Sequence, residues 1–240
     1  MSMTKLEVGD IFESTSCGRL EVVHYVNCTE VYVQFEESGY VIRSSSGHIR
    51  SGLVKDPFYP YLHGLGYFGD LHRESSNIKY YRLWRKMMDR CYLEGYCTSS
   101  YGKVTVSKEW LNCSNFIRWC ADNYVEGWEL DKDVYQVGVV NKVYSKETCI
   151  FLPKEINSML TTRDTPNKYG SRGVKVSGSK FIGRFKRKGV EFSKTFDSMG
   201  EAQDYYINNR IDILTELAYK YKSEVNEVTF DNLVNYYKKS

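Results

Sequence analysis

The chain has 240 residues, of which 42% are hydrophobic and 15% aromatic, and it carries a formal net charge of +3. This composition supports a folded core and excludes a largely disordered chain. No apolar run is long enough for a transmembrane helix and no signal-peptide pattern is present, so we expect a cytoplasmic protein without a membrane partner. The seven cysteines form no C-x-x-C pair, which argues against a zinc ribbon or a disulfide framework.

The charges are unevenly distributed. Residues 1–72 contain five Lys or Arg and nine Asp or Glu, so the rest of the chain has a net charge of +7. This contrast predicts that the C-terminal portion contacts a polyanion. All four histidines lie in the acidic front, at positions 24, 48, 63 and 72.

Short segments rich in β-formers and separated by turn residues fill residues 8–56. They lie at residues 11–13, 20–25, 31–35, 40–43 and 49–54. Five short strands with tight turns predict a small β-barrel module over residues 1–60. Its acidic balance argues against a main role in phosphate binding, and makes the module a candidate docking surface for a protein partner.

A helix is predicted over residues 77–92, because four residues fall on one apolar face: Tyr81, Trp84, Met88 and Cys91. The opposite face is basic, with Arg82, Arg85, Lys86 and Arg90. Such a face is usually solvated, and a phosphate-facing helix is the alternative. A second helix is predicted over residues 110–124 with Ser114 as N-cap. The four tryptophans, at 84, 110, 119 and 128, are expected to form one aromatic core.

Residues 128–160 read as strand, loop, strand and helix. The first strand, residues 128–134, carries Asp131 and Lys132, and the second covers residues 148–152. Pro153 suits the first position of the helix that follows, which places Asn157 one turn in. An acid on a strand and an amide on a helix within this compact element can cradle a divalent ion and a phosphate.

Ten residues of this element match a known motif: Leu130, Asp131, Lys132, Asp133, Tyr144, Ser145, Glu147, Thr148, Cys149 and Asn157. On these residues, the segment 77–162 resembles the HNH (ββα-metal) nuclease family of phage-encoded homing-type proteins. The resemblance implies that Asp131 and Asn157 ligate Mg²⁺ or Mn²⁺. Lys132 stands where the family has its histidine base, and Thr148 stands where it has an orienting asparagine, so the implied catalytic residues are Asp131, Lys132 and Asn157.

Three strands followed by a helix are predicted within residues 167–222. The strands cover residues 174–176, 181–187 and 190–196, and a capping box of Ser198 and Glu201 starts a helix that runs to about residue 221. Residues 168–194 contain nine Lys or Arg and one acid. The alternation places Phe181, Gly183 and Phe185 against the helix, and Lys180, Arg184 and Lys186 on the other face.

This unit resembles the Apetala-two type DNA-binding domain. The matching residues are 172–175 (RGVK), 180–186 (KFIGRFK), 194–196 (KTF) and 201–202 (EA). The resemblance implies that the sheet enters the major groove of duplex DNA. The implied DNA-contacting residues are Arg172, Lys175, Lys180, Arg184, Lys186, Lys188 and Lys194.

The sequence therefore predicts an α+β protein with an N-terminal β-barrel, a central helical scaffold carrying a ββα-metal-like element, and a C-terminal three-stranded sheet plus helix, followed by a helical tail to residue 240. One hypothesis is a phage-like, metal-dependent HNH-type homing or nicking endonuclease that acts on double-stranded DNA. The alternative is a catalytically inactive, HNH-derived DNA-binding regulator or anti-host factor. A third is a protein-binding phage component. If a phage encodes it, the expected location is the host cytoplasm.

Overall fold

The computed structural model of the chain describes residues 5–71, 77–94, 104–160, 172–187 and 189–239. The fold is mixed α+β, as the sequence predicts. It forms two compact units, one of residues 1–98 with 106–122, the other of residues 99–105 with 123–240. Across the described part of the chain, no helix combines the length and the apolarity that crossing a bilayer requires.

The first unit begins with an antiparallel four-stranded sheet. Its strands are β1 (Ile11–Ser14), β2 (Gly18–Asn27), β3 (Glu30–Phe35) and β4 (Val41–Ser44), in the spatial order of the sequence. Alternate residues of the two central strands form the core, among them Leu20, Val22, Val31, Val33 and Phe35. The predicted barrel is wrong, because β1 and β4 remain unpaired edges and no sheet in the described residues closes on itself.

A short helix, α1 (Ser46–Arg50), replaces the predicted fifth strand. Ser45 caps it by accepting a hydrogen bond from the His48 N–H at 3.3 Å. The chain then returns to β1, where the Thr15 N–H donates to the Gly52 carbonyl at 3.0 Å. A helix and a turn therefore occupy the place that a closing strand would need.

The helical scaffold of the first unit consists of α2 (Ile78–Tyr92), α3 (Lys108–Leu111) and α4 (Cys113–Asn123). The apolar face of α2 is buried as predicted through Trp84 and Met88, both with 0% exposure. The second predicted helix is interrupted at Asn112, and Ser107 rather than Ser114 is its N-cap. The Ser114 hydroxyl instead donates to the Phe68 carbonyl at 2.7 Å.

The second unit contains the predicted ββα element. This element consists of the strands β6 (Trp128–Asp131) and β8 (Ile150–Pro153) and the helix α5 (Lys154–Leu160). Two short strands, β5 (Thr105–Val106) and β7 (Val143–Tyr144), pair with each other beside it. β6 and β8 pair antiparallel, with Glu129 opposite Leu152 and Asp131 opposite Ile150. α5 begins one residue after Pro153, so Asn157 lies one turn into the helix as predicted.

A three-stranded antiparallel sheet follows, made of β9 (Val174–Ser177), β10 (Lys180–Arg187) and β11 (Val190–Phe196), with β10 in the centre. The long helix α6 (Met199–Lys220) packs on it, and Ser198 caps α6 as predicted. The approach is close at Gly183, where a Cβ would lie 2.6 Å from the Ala202 carbonyl oxygen. Glycine is therefore required at this point of β10.

The far end of α6 belongs to another core. Two helices, α7 (Glu227–Val234) and α8 (Tyr236–Lys239), follow α6. One buried cluster joins the ββα element to the C-terminal helices: Val134, Leu152, Ile156, Leu160, Leu214, Ala218 and Leu233. Trp128 is half-buried, and its ring lies edge-on at 6.2 Å to Tyr221, a residue that packs against this cluster. The expectation of a single four-tryptophan core is therefore wrong.

Candidate nucleic-acid interface

Asp131, the implied metal ligand, is an internal hydrogen-bond acceptor. Its side chain is 2% exposed. Oδ1 accepts the backbone N–H groups of Asp133 at 2.9 Å and of Val134 at 2.8 Å, which fixes the turn after β6. Burial, with a smaller contribution from the Asp133 charge, raises the pKa of Asp131 to about 6. The carboxylate therefore has a structural task in the folded chain.

Lys132, at the position of the family's base, is held as a cation. Its Nζ lies 3.0 and 3.1 Å from the two carboxylate oxygens of Asp133. Burial disfavours the ammonium, but Tyr144 and the neighbouring carboxylates outweigh it, so the pKa of Lys132 is raised. A lysine with a raised pKa does not accept a proton near neutral pH.

Asp133 is the centre of this ion cluster, because Lys142 also approaches it, at 2.5 Å. Its burial favours the neutral carboxyl, but the two lysines outweigh that effect and lower the pKa of Asp133. The cluster is largely screened from water, with side-chain exposures of 17% to 22%. The two lysines and the carboxylate between them hold the loop.

Gln136, which the sequence analysis did not single out, closes the same loop. Its Nε2 donates to the carbonyls of Lys132 at 2.8 Å and Val143 at 2.9 Å. Its Oε1 accepts the Val143 N–H at 2.8 Å. The Thr148 hydroxyl donates to the Val143 carbonyl at 2.6 Å, so Thr148 at the orienting position is also a structural residue. Nothing local in the sequence signals the role of Gln136.

Asn157 makes a hydrogen bond with Glu129, a carboxylate outside the matched motif. Its Nδ2 donates to Glu129 Oε2 at 2.7 Å, joining α5 to β6. Glu129 and Asp131 are two residues apart on β6, and therefore lie on the same face of the strand. Glu129 is the more accessible of the two carboxylates and was missed because it lies outside the matched motif.

Asp131 and Asn157, the implied Mg²⁺ or Mn²⁺ ligands, each make a contact within the protein. Such ions prefer several oxygen ligands, chiefly carboxylates and carbonyls. In the ranges that the structure describes, no three His, Cys, Asp or Glu residues are grouped to hold a metal ion. Asp131 Oδ1 accepts from two backbone N–H groups and Asn157 Nδ2 donates to Glu129, so Asp131 Oδ2 and Asn157 Oδ1 are the atoms that would hold an ion.

The face of the C-terminal sheet that points away from α6 is basic. The register places Lys175, Ile182 and Thr195 in one row across the three strands, and Arg184 opposite Ser193. Lys180 and Lys186 lie on the same face of β10, because they are an even number of residues from Ile182 and Arg184. We call Lys175, Lys180, Ile182, Arg184 and Lys186 the reading face. It extends for about 20 Å along β10 at the rise of a β-strand.

Three cations of the reading face have no ion pair within the described residues: Lys175, Arg184 and Lys186. Lys180 is different, because its ammonium is paired with Asp197. Arg184 and Lys186 are exposed on a central strand, where backbone pairing holds their Cα positions. The backbone of these two residues is therefore held in place, while their charged groups are exposed to solvent.

Three other residues implied by the resemblance are placed differently. Lys194 lies directly opposite Gly183 and therefore on the helix side of the sheet, where its Nζ is 5.4 Å from the centre of the Phe196 ring. Arg172 is half-buried just before Gly173, outside the strands. Lys188 lies outside the described residues.

A cleft of about 740 Å³ brings the sheet and the ββα element together within the second unit. Its charged lining residues are Glu129, Lys154, Arg184, Lys186, Glu191 and Arg210, and Asn157 lines the same cleft. Four cations and two carboxylates make the lining positive. Asp131 and Lys132 are not among the lining residues.

Arg210 of α6 is held rigidly in the cleft wall. Its Nε donates to the Tyr237 hydroxyl at 2.6 Å, and its guanidinium also donates to the Met159 carbonyl. The guanidinium carbon lies 5.5 Å from the ring centre of Tyr206. A cation anchored in this way presents its charge without a large entropy cost.

Comparison with known proteins gives no relative: no protein-family model, no curated protein and no solved structure matches the chain significantly.

Proposed function

We propose that the chain is a sequence-preferring protein that binds double-stranded DNA. The observation that carries this proposal is the reading face, in which Lys175, Arg184 and Lys186 project from paired strands without ion-pair partners among the described residues. Unpaired cations of one sign are unfavourable together unless a polyanion neutralises them. An arginine on a rigid sheet can also donate to the O6 and N7 atoms of guanine.

The cleft supports the same partner. It continues from Arg184 and Lys186 to Lys154 and Arg210, so a phosphate backbone that leaves the sheet meets further positive charge. Phosphate contacts set the orientation and register of a protein on DNA, whereas base contacts set the sequence preference. We assign Lys154, Lys186 and Arg210 to the phosphates and Arg184 to a base edge.

Binding without cleavage is the form of the proposal that the geometry favours. Asp131 Oδ1 accepts from two backbone N–H groups, and the pKa of Lys132 is raised, so Lys132 does not suit the base role that the resemblance implies. This agrees with a regulator derived from a nuclease. Asn157 in the cleft beside Arg184 and Lys186 is the one observation that favours the endonuclease hypothesis.

A cytoplasmic location, in the host cell if the gene is carried by a phage, belongs to this proposal because duplex DNA is accessible there. The N-terminal unit as a docking surface for a protein partner is a separate proposal that rests on its acidic composition.

The test is a salt titration of binding by the full-length chain, on duplexes selected from a random pool and on scrambled duplexes. The double variant Arg184→Ala, Lys186→Ala is expected to bind selected duplexes about 10- to 30-fold more weakly and to lose most of its preference. The control is Arg187→Ala, Lys194→Ala, which removes two cations from the helix side of the same sheet. Equal losses in both variants would overturn the proposal.

A further inference from the structure

The exposed side of α2, in the first unit, carries a line of four cations. Lys79, Arg82, Lys86 and Arg90 are all exposed, and their spacing of three, four and four residues keeps them on one stripe of the helix. We call these four residues the α2 stripe. The other side of α2 is anchored by Trp84, Met87, Met88 and Cys91, which are buried. The stripe therefore has a fixed direction relative to the first unit.

The acid of α2 does not neutralise the stripe. Asp89, the one acidic residue in the helix, lies 2.8 Å from His63 Nε2 and 3.9 Å from Arg85 Nε. Arg82, Lys86 and Arg90 make no ion pair within the described residues. No described carboxylate therefore neutralises these three charges.

The stripe works against the stability of its own helix. Arg82 and Lys86, and again Lys86 and Arg90, are like charges four residues apart, which is a destabilising arrangement. Lys79 and Arg82 also lie near the helix N-terminus, where the macrodipole favours acids, yet the first turn has none. A surface kept for solubility alone would carry mixed charges, as Asp89 and Arg85 show on the adjacent side.

We infer that the α2 stripe binds the phosphate backbone of duplex DNA, as a second contact surface that adds affinity without reading sequence. This inference rests on the proposed function, because it takes the same duplex as its partner. From Lys79 to Arg90 the stripe spans about 16 Å at 1.5 Å per residue. Because each strand winds around the duplex, a straight stripe of that length follows a short stretch of one strand and meets about three of its phosphates.

An acidic protein surface could also neutralise such a stripe, but the salt dependence of DNA binding separates the two. Removing one cation that binds a phosphate should lower the slope of log K against log salt concentration by about 0.9. The test variant is Arg82→Gln, Lys86→Gln, Arg90→Gln in the full-length chain. Glutamine keeps the helix propensity, so α2 is expected to remain folded.

The matched control is Lys5→Gln, Arg43→Gln, Lys55→Gln, which removes three exposed cations from the same unit. Both variants are measured on a 30-base-pair scrambled duplex. The stripe variant is expected to lower the slope by about two to three units and the control to leave it unchanged. Thermal unfolding of the stripe variant should occur at the same or a higher temperature, because like-charge repulsion has been removed.

A stripe variant with the wild-type slope would overturn the inference. If Arg184→Ala, Lys186→Ala lowers the slope in the same assay, the proposed function stands and only the binding of DNA by α2 fails. If the stripe variant lowers the slope and the sheet variant does not, DNA binding by the α2 stripe is supported and DNA binding by the reading face is contradicted. A wild-type chain without salt-dependent binding would overturn both.

Discussion

The Asn157 amide donates to the Glu129 carboxylate across 2.7 Å, and this bond joins helix α5 to strand β6 at the wall of the basic cleft. The resemblance to ββα-metal nucleases implies that Asn157 faces a metal together with Asp131. In the structure, the Asn157 amide donates to Glu129, and Asp131 accepts from the backbone N–H groups of Asp133 and Val134. Asp131 and Asn157, which the motif groups as metal ligands, therefore make hydrogen bonds to different parts of the structure.

Replacing Asn157 with aspartate should convert this bond into repulsion. Asn157→Asp is expected to lower the free energy of unfolding at pH 7 by roughly 1–2 kcal/mol, because a hydrogen bond is removed and two carboxylates meet. The destabilisation should shrink at high salt, which screens the repulsion. Ser158→Asp adds the same charge to the exposed side of α5 and is the control. Urea unfolding at low and at high salt compares the two substitutions, and equal effects of both would contradict the expectation.

Asp131 should make stability depend on pH. Its pKa of about 6 lies above the ordinary value of about 3.9, so the folded protein holds this proton more tightly than the unfolded chain. The resulting stabilisation is complete below about pH 4 and is lost as the pH rises through 6.

Asp131→Asn removes this titration while keeping an oxygen that accepts both N–H groups. Relative to the wild type, the variant should gain up to about 3 kcal/mol of stability between pH 4 and pH 7. Unfolding free energies of both proteins across this range test the expectation. A difference that does not change with pH would show that Asp131 does not titrate there.

Supercoiled plasmid incubated with the chain in Mg²⁺ or in Mn²⁺ should remain intact while the protein binds it. The reason is that the Asp131 carboxylate is engaged internally and the raised pKa of Lys132 keeps its amine protonated. Lys132→His supplies the family's base and is the variant in which a weak activity would first be visible. Divalent-dependent nicking by the wild type, abolished in Asp131→Ala, would instead establish the endonuclease hypothesis.

Phe185 should act on stability and leave base preference unchanged. Its ring is half-buried, stacked on Phe192 at 5.3 Å and edge-on to Tyr205 at 5.7 Å. Phe185→Ala is expected to cost roughly 2 kcal/mol, less than the 3–5 kcal/mol of a fully buried phenylalanine. Chemical unfolding gives the cost, and binding to selected and scrambled duplexes gives the preference. A changed preference with unchanged stability would assign Phe185 to the reading face instead.

Periodic and local signals made much of this fold predictable. The buried face of α2 follows from apolar residues at helical spacing, and the start of α6 follows from the Ser198 capping box. The two faces of β10 follow from alternation. The side of the sheet on which Lys194 lies could also have been predicted from the sequence. Once Arg187 pairs with Val190, the register places Lys194 opposite Gly183.

Tertiary contacts account for what the sequence did not reveal. Ser114 resembles an N-cap, but its hydroxyl is used by the Phe68 carbonyl, 46 residues away. The partners of Gln136 and Glu129 lie across a loop or on another element, so no spacing rule indicates them. The barrel prediction was wrong because residues 46–50 form a short helix, capped by Ser45, where the fifth strand was expected to begin.

Residues 167–222, which the sequence marks as a separate DNA-binding unit, should not fold well alone. The C-terminal half of α6 buries Leu214 and Ala218 against Leu152, Ile156 and Leu233. A fragment of residues 167–222 would expose that surface, whereas residues 123–240 retain it. Circular dichroism melting of the two fragments should show a cooperative transition only in the longer one. A cooperative transition in the short fragment would show that the sheet and α6 are sufficient.

Helix α6 therefore connects two parts of the second unit. Its N-terminal half packs on the sheet through Ala202 and Tyr206, and its C-terminal half packs on the ββα element through Leu214 and Ala218. Its 22 residues make it about 33 Å long. If the chain binds duplex DNA as proposed, α6 fixes the distance between the sheet and the cleft wall at Glu129, and with it the number of base pairs between the proposed base contacts and the proposed phosphate contacts. One residue inserted into the middle of α6 should turn its two ends by about 100° relative to each other and so weaken any binding that needs both contacts.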